Sequence, residues 1–154
     1  MGGFECSTHK LSQGKRLDLI TSTRHDRFAS EDYERLVEQG LRVARDGLRW
    51  HLIEKTPGHY DFGSLEPMVR AAQEAGILVL WDLLHFGWPD HWDVFDADFP
   101  HPFSGFAHAT AGWFQRNAPA PFWFTPVNEI SWVAWAGGSA GCINPFAQGR
   151  GLEL

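Results

Sequence analysis

The sequence predicts an α/β chain in which parallel strands alternate with helices, four βα units amounting to a partial (β/α)8, or TIM, barrel. Three observations carry this. Apolar runs of strand type begin near residues 2, 41, 77 and 122, each separated from the next by a helical pattern. The run over 77–84, Ile-Leu-Val-Leu-Trp-Asp-Leu-Leu, shows no polar face, as expected of a parallel strand covered on both sides. Charged and aromatic residues recur just beyond the ends of three of the runs, where parallel α/β folds place their chemistry. Four units fill 154 residues, whereas a complete barrel takes about 250. The chain is therefore read as one domain, 1–154, the N-terminal half of a barrel; a complete small doubly wound sheet also fits the length.

In order, residues 2–7 form the first expected strand. Ser30 is the expected N-cap of a helix carrying Tyr33, Leu36 and Val37 on one face and stopped by Gly40. A second strand fits 41–45. Ser64 starts a helix with Leu65, Met68, Val69 and Ala72 at i, i+3, i+4 and i+7, ended by Gly76. The third strand is 77–84. Pro102 opens a third helix with Phe103, Phe106, Ala107, Thr110, Trp113 and Phe114 at helical spacing. The Pro119–Pro121 stretch leads into a fourth strand over 122–127, and residues 149–154 read as the entry to a further helix.

Composition narrows the function classes. At 44% hydrophobic and 21% charged, the chain falls among globular proteins. The net charge is −6 and the basic residues are scattered, so no patch exists to neutralise phosphates, and nucleic acid is not an expected partner. No apolar run reaches the roughly 18 residues of a membrane span, and the N-terminus shows no signal-peptide pattern. Cys6 and Cys142 lack metal-type spacing, and reduced thiols in a cytoplasmic protein are expected. Eight Trp and 12 Phe suit either core filling or stacking on sugar faces.

The polar residues concentrate at strand ends. Arg45 and Asp46 close the second strand, followed by Arg49, Trp50 and His51. Asp82 lies in the third, followed by His85, Phe86, Trp88, Pro89 and Asp90. Asn128 and Glu129 follow the fourth, with Ser131, Trp132 and Trp135 beyond. Asp82, His85, Asp90 and His91 are close in sequence but match no zinc pattern, so no metal and no cofactor is expected. No Gly-x-Ser-x-Gly elbow is present.

These residues resemble a known group. Thr125-Pro126-Val127-Asn128-Glu129 is similar to the strand-four Asn-Glu motif of the retaining (β/α)8 glycosidases. Arg45 through Trp50, Leu84-His85-Phe86-Gly87-Trp88-Pro89 and Pro57-Gly58-His59-Tyr60-Asp61-Phe62 resemble segments of the glycoside hydrolase family 1, or β-glucosidase-like, members in the same order. The resemblance implies a retaining hydrolase acting on carbohydrate. Glu129 would be the general acid/base and Asn128 the partner of the sugar's 2-hydroxyl. His85 would contact sugar hydroxyls, and Arg45 would hold a nucleophilic carboxylate ionised. Trp132 and Trp135 form a sugar platform or pack under their loop; Arg45 otherwise pairs structurally with Asp46 or Asp82.

The departures are specific. Ile130 stands where the family has Pro, and the family's strand-one Gln has no clear counterpart, Glu5 and His9 being the candidates. The family's nucleophile, a Glu after strand seven, lies beyond the segments matched here. The chain alone is thus expected to turn over negligibly, either awaiting the rest of a barrel or binding sugar without catalysis. Exposed strand edges predict pairing of two copies.

Overall fold

The computed structural model describes residues 1–154. Strands β1 (Val43–Gly47), β2 (Leu78–Leu84) and β3 (Trp123–Val127) form one parallel sheet in sequential order. Helices α1 (Leu19–Thr23) and α2 (His25–Glu38) precede β1, α3 (Trp50–Ile53) and α4 (Glu66–Glu74) join β1 to β2, and α5 (Pro100–Asn117) joins β2 to β3. A short α6 (Ile130–Trp132) runs into a π-helical turn over Val133–Ser139. This is the α/β, partial-barrel architecture the sequence predicts.

The expected first strand is extended rather than a full strand. Gly2 N–H donates to Val43 O, Arg45 N–H to Gly2 O, and Phe4 N–H to Arg45 O, so the segment runs beside β1 without completing a ladder. The second strand lies two residues later than expected. Ser30 is not an N-cap. It lies inside α2, because the chain passes from α1 straight into α2 through Arg24, which takes a left-handed backbone (φ 62°). The Asp18 side chain caps the pair from upstream by accepting from Thr21 N–H. Likewise, the turn at Ser64 belongs to a 3₁₀ segment, Phe62–Ser64, and α5 begins at Pro100 rather than Pro102.

Strand alternation gives the sheet two faces. Ala44, Val79, Trp81 and Leu83 turn to the helical layer, where Trp81 meets Phe114 of α5 at 5.7 Å between ring centroids. Trp50 stacks on Phe106 at 4.9 Å and so ties the loop after β1 to α5. Each such buried aromatic contributes roughly 1.5–3 kcal/mol. The opposite face carries Arg45, Asp82 and the ends of β2 and β3. No helix is long and apolar enough to cross a membrane.

Candidate active site

The parallel register places Gly47 of β1 beside Asp82 of β2, and Asp82 beside Thr125 of β3. Gly47 matters because a Cβ there would lie 2.6 Å from Cys6 Sγ. Its absence lets the Cys6 thiol and the Asp82 carboxyl share the space at the end of β1. Arg45, two residues earlier on the same face, reaches past Gly47 to Asp82. Its Nε lies 3.0 and 2.9 Å from the two carboxylate oxygens, and Nη2 is 2.7 Å from Oδ2.

Asp82 is fully buried. Burial alone would raise its pKa, but hydrogen bonds from His85 and Arg45, and their charges, bring it below the ordinary carboxylate value. His85 Nδ1 is 3.0 Å from Asp82 Oδ2, and Nε2 is 2.9 Å from Asn128 Nδ2. Arg45 Nη2 donates to Asn128 Oδ1, which closes a ring of four side chains: Arg45, Asp82, His85 and Asn128. Three successive strands contribute to it.

Cys6 Sγ lies 3.1 Å from His85 Nδ1 and 3.7 Å from Asp82 Oδ2. Burial and the surrounding carboxylates push its pKa far up, so it is a thiol. Cys6, Asp82 and His85 thus bring sulfur, oxygen and nitrogen within 4.8 Å of one another, a density of donors a metal would need. The ring argues against one. Asn128 Nδ2 lies 2.9 Å from His85 Nε2 and Asp82 Oδ2 3.0 Å from Nδ1, so both ring nitrogens, including the one that would have to ligate, already face hydrogen-bond partners. The sequence grouping of Asp82, His85, Asp90 and His91 does not converge: Asp90 pairs with Lys10 and Arg16, and His91 approaches Glu54.

Glu129 follows Asn128 directly. Its left-handed backbone (φ 44°) turns the side chain out of the strand line, and it is exposed. Its charge helps raise the Arg45 pKa, after the larger effect of the Asp82 hydrogen bond. Phe86, directly after His85, is left-handed as well (φ 63°). Non-glycine residues held there cost of order 1–3 kcal/mol each and tend to cluster at functional sites.

Trp132 and Trp135 lie 5.1 Å apart and are 42% and 54% exposed, so they are not packed under the loop. Glu5 is exposed, accepts from Ser7 N–H and stands 3.9 Å from His85 Nε2. His9 stays half-buried with Nδ1 unpartnered. Sequence reasoning did not place Cys6 at the site, and it named Asp82 among the strand-end polar residues, as a structural partner for Arg45 and in a rejected metal grouping, but not as a site residue. The parity of strand positions could have found Asp82: Asp46 follows Arg45 immediately and must face the other way.

A sheet of parallel strands with helices on one face and a ring of polar side chains at its C-terminal edge is part of a (β/α)8 barrel. Comparison with solved structures agrees. A rice β-glucosidase superposes with a TM-score of 0.73 at 17% identity, over 91% of this chain and 30% of its own. The family 1 β-glucosidase of Thermotoga maritima gives 0.71 at 17%, over 80% and 29%. A β-glucosidase variant from Trichoderma harzianum gives 0.70 at 21%, over 90% and 31%. The chain spans about 30% of the length of these proteins. No family model and no curated protein sequence matches it.

Proposed function

We propose that this chain supplies the acid/base side of a β-glucosidase-like glycoside hydrolase site. The observation that carries the reading is Asn128 bridging Arg45 and His85 across the ends of three parallel strands, with Glu129 next in the chain and open to solvent. Glu129 gives its proton to the glycosidic oxygen as the bond to the anomeric carbon breaks. It then takes a proton from the water that replaces the leaving group. Asn128 holds the sugar's 2-hydroxyl, Arg45 faces the incoming ring with its exposed edge, and Trp132 and Trp135 supply the platform.

A retaining enzyme needs a second carboxylate about 5–5.5 Å from the first. That group comes from the remainder of a barrel. A variant of the rice enzyme is known in covalent complex with glucose, the species such a carboxylate forms.

The test is hydrolysis of an aryl β-glucoside by the chain alone and by the chain mixed with a polypeptide spanning strands five to eight. Turnover is expected only in the mixture, and Glu129→Gln lowers it by about 10²-fold or more. Strong activity from the chain alone, or activity indifferent to Glu129→Gln, overturns the assignment. A second reading, sugar binding without turnover, is favoured by the fact that the polar ring is closed on itself. Exposed Trp123, the first residue of β3, and Ile130, just past its end, favour pairing of two copies, which size-exclusion chromatography would show as a dimer.

A further inference from the structure

We propose that Asp82 is a positioning residue that, with Arg45, sets the direction of every proton in the ring and holds His85 as its Nδ1–H tautomer. A guanidinium has donors only, so the atom of Asn128 that faces Arg45 must be the carbonyl oxygen. The amide nitrogen is then the end that meets His85 Nε2, 2.9 Å away, and a donor there requires a bare ring nitrogen. The ring's proton is left on Nδ1, where the Asp82 carboxylate accepts it at 3.0 Å. Arg45 holds the same carboxylate through two nitrogens, so Asp82 cannot turn away from His85 without leaving the guanidinium.

The consequence deepens the carbohydrate reading and rests on it. His85 does not donate to a sugar hydroxyl, because its one proton points at Asp82 and its bare nitrogen is occupied. Hydroxyls are met by the remaining N–H of Asn128 and the free edge of Arg45 as donors, and by Glu129 and Glu5 as acceptors. His85 thereby acts through Asn128, fixing the amide that grips the ring.

Long-range ¹H–¹⁵N correlation spectra of the labelled chain at pH 7.5 test this directly. Wild type is expected to show His85 with Nδ1 protonated and Nε2 bare. An Nε2–H tautomer overturns the proposal. In Asp82→Asn, Arg45 claims the new amide's oxygen and turns its NH2 toward His85 Nδ1, so the single ring proton moves to Nε2, the Asn128 NH2 loses its acceptor there, and the Nδ1–H signal is replaced by an Nε2–H signal. A folded Asp82→Asn chain that keeps the Nδ1–H signal sinks the role of Asp82. Asn128→Asp keeps the residue's size and gives both ring nitrogens a carboxylate, so His85 should carry two protons. An unchanged single-proton tautomer there also refutes the circuit. No sugar enters these measurements, so a failed turnover assay counts against the carbohydrate reading alone.

Discussion

Replacing His51 with Gln should flatten the acid limb of the stability profile. His51 sits on α3 with its side chain 12% exposed; Nδ1 has no partner, and Nε2 comes no nearer than 3.8 Å to Asp18. Burial, with the charges of Arg16 and Arg49 outweighing those of Asp18 and Asp90, lowers its pKa from 6.5 to about 4. The unfolded chain therefore takes up the proton first. His51's contribution is complete above the unfolded value of about 6.5 and is lost as pH falls toward 4. Linkage over that gap gives about 2 kcal/mol lost at pH 5 and about 3 by pH 4. Urea unfolding of wild type and His51→Gln at pH 7.5 and pH 5 isolates the effect. Wild type should lose about 2 kcal/mol more than the variant between the two conditions. Equal losses would refute the claim that a buried neutral imidazole governs this limb.

Much of the architecture was legible because parallel βα units leave a double signature, covered apolar runs and helical spacing between them. The run over 77–84 became β2 nearly residue for residue. What was not legible depended on backbone events that leave little trace in composition. The α1-to-α2 passage through left-handed Arg24 moved the helix start five residues ahead of Ser30, and no glycine marked it. At the site, Asn128 and His85 were visible as strand-end residues, but their union was not, since it depends on register between strands far apart in sequence. Cys6 was read as an ordinary thiol because nothing local ties it to Asp82, 76 residues away. Arg45's choice between Asp46 and Asp82 was decidable from alternation alone. Adjacent strand residues face opposite ways, and Asp46 indeed goes to the helical layer, where His25 and Tyr33 hold it at 2.9 and 2.7 Å.

That helical-side network should show the opposite pH behaviour to His51. Burial lowers the His25 pKa, but hydrogen bonds and charges from Asp46 and Asp32 raise it further, to a net value above 6.5. Its contribution is present below about pH 6.5 and is lost as pH rises through the folded value. His25→Leu leaves fully buried Asp46 without its cation and should cost about 3–5 kcal/mol near pH 6 by urea unfolding, less at alkaline pH. A cost independent of pH would mean that His25 serves only to pack against Phe4, on which it stacks at 3.9 Å. The glycines beside the site provide a test of what backs the ring. A Cβ on Gly47 meets Cys6 Sγ at 2.6 Å, so Gly47→Ala should be partly offset by Cys6→Ala, which removes the sulfur. A Cβ on Gly87 would lie 2.6 Å from the carbonyl carbon of Thr8, which is main chain. No side-chain change at position 8 can relieve that, and the strain falls on the Thr8 N–H bond to His85 O. Gly87→Ala should therefore cost at least about 1–3 kcal/mol and perturb the His85 ring signals, with Thr8→Ala, which removes the Oγ1 contact but leaves the main-chain ones, giving at most partial rescue. Full rescue by Thr8→Ala would show that the N-terminal segment is held against His85 by its hydroxyl and not by its backbone.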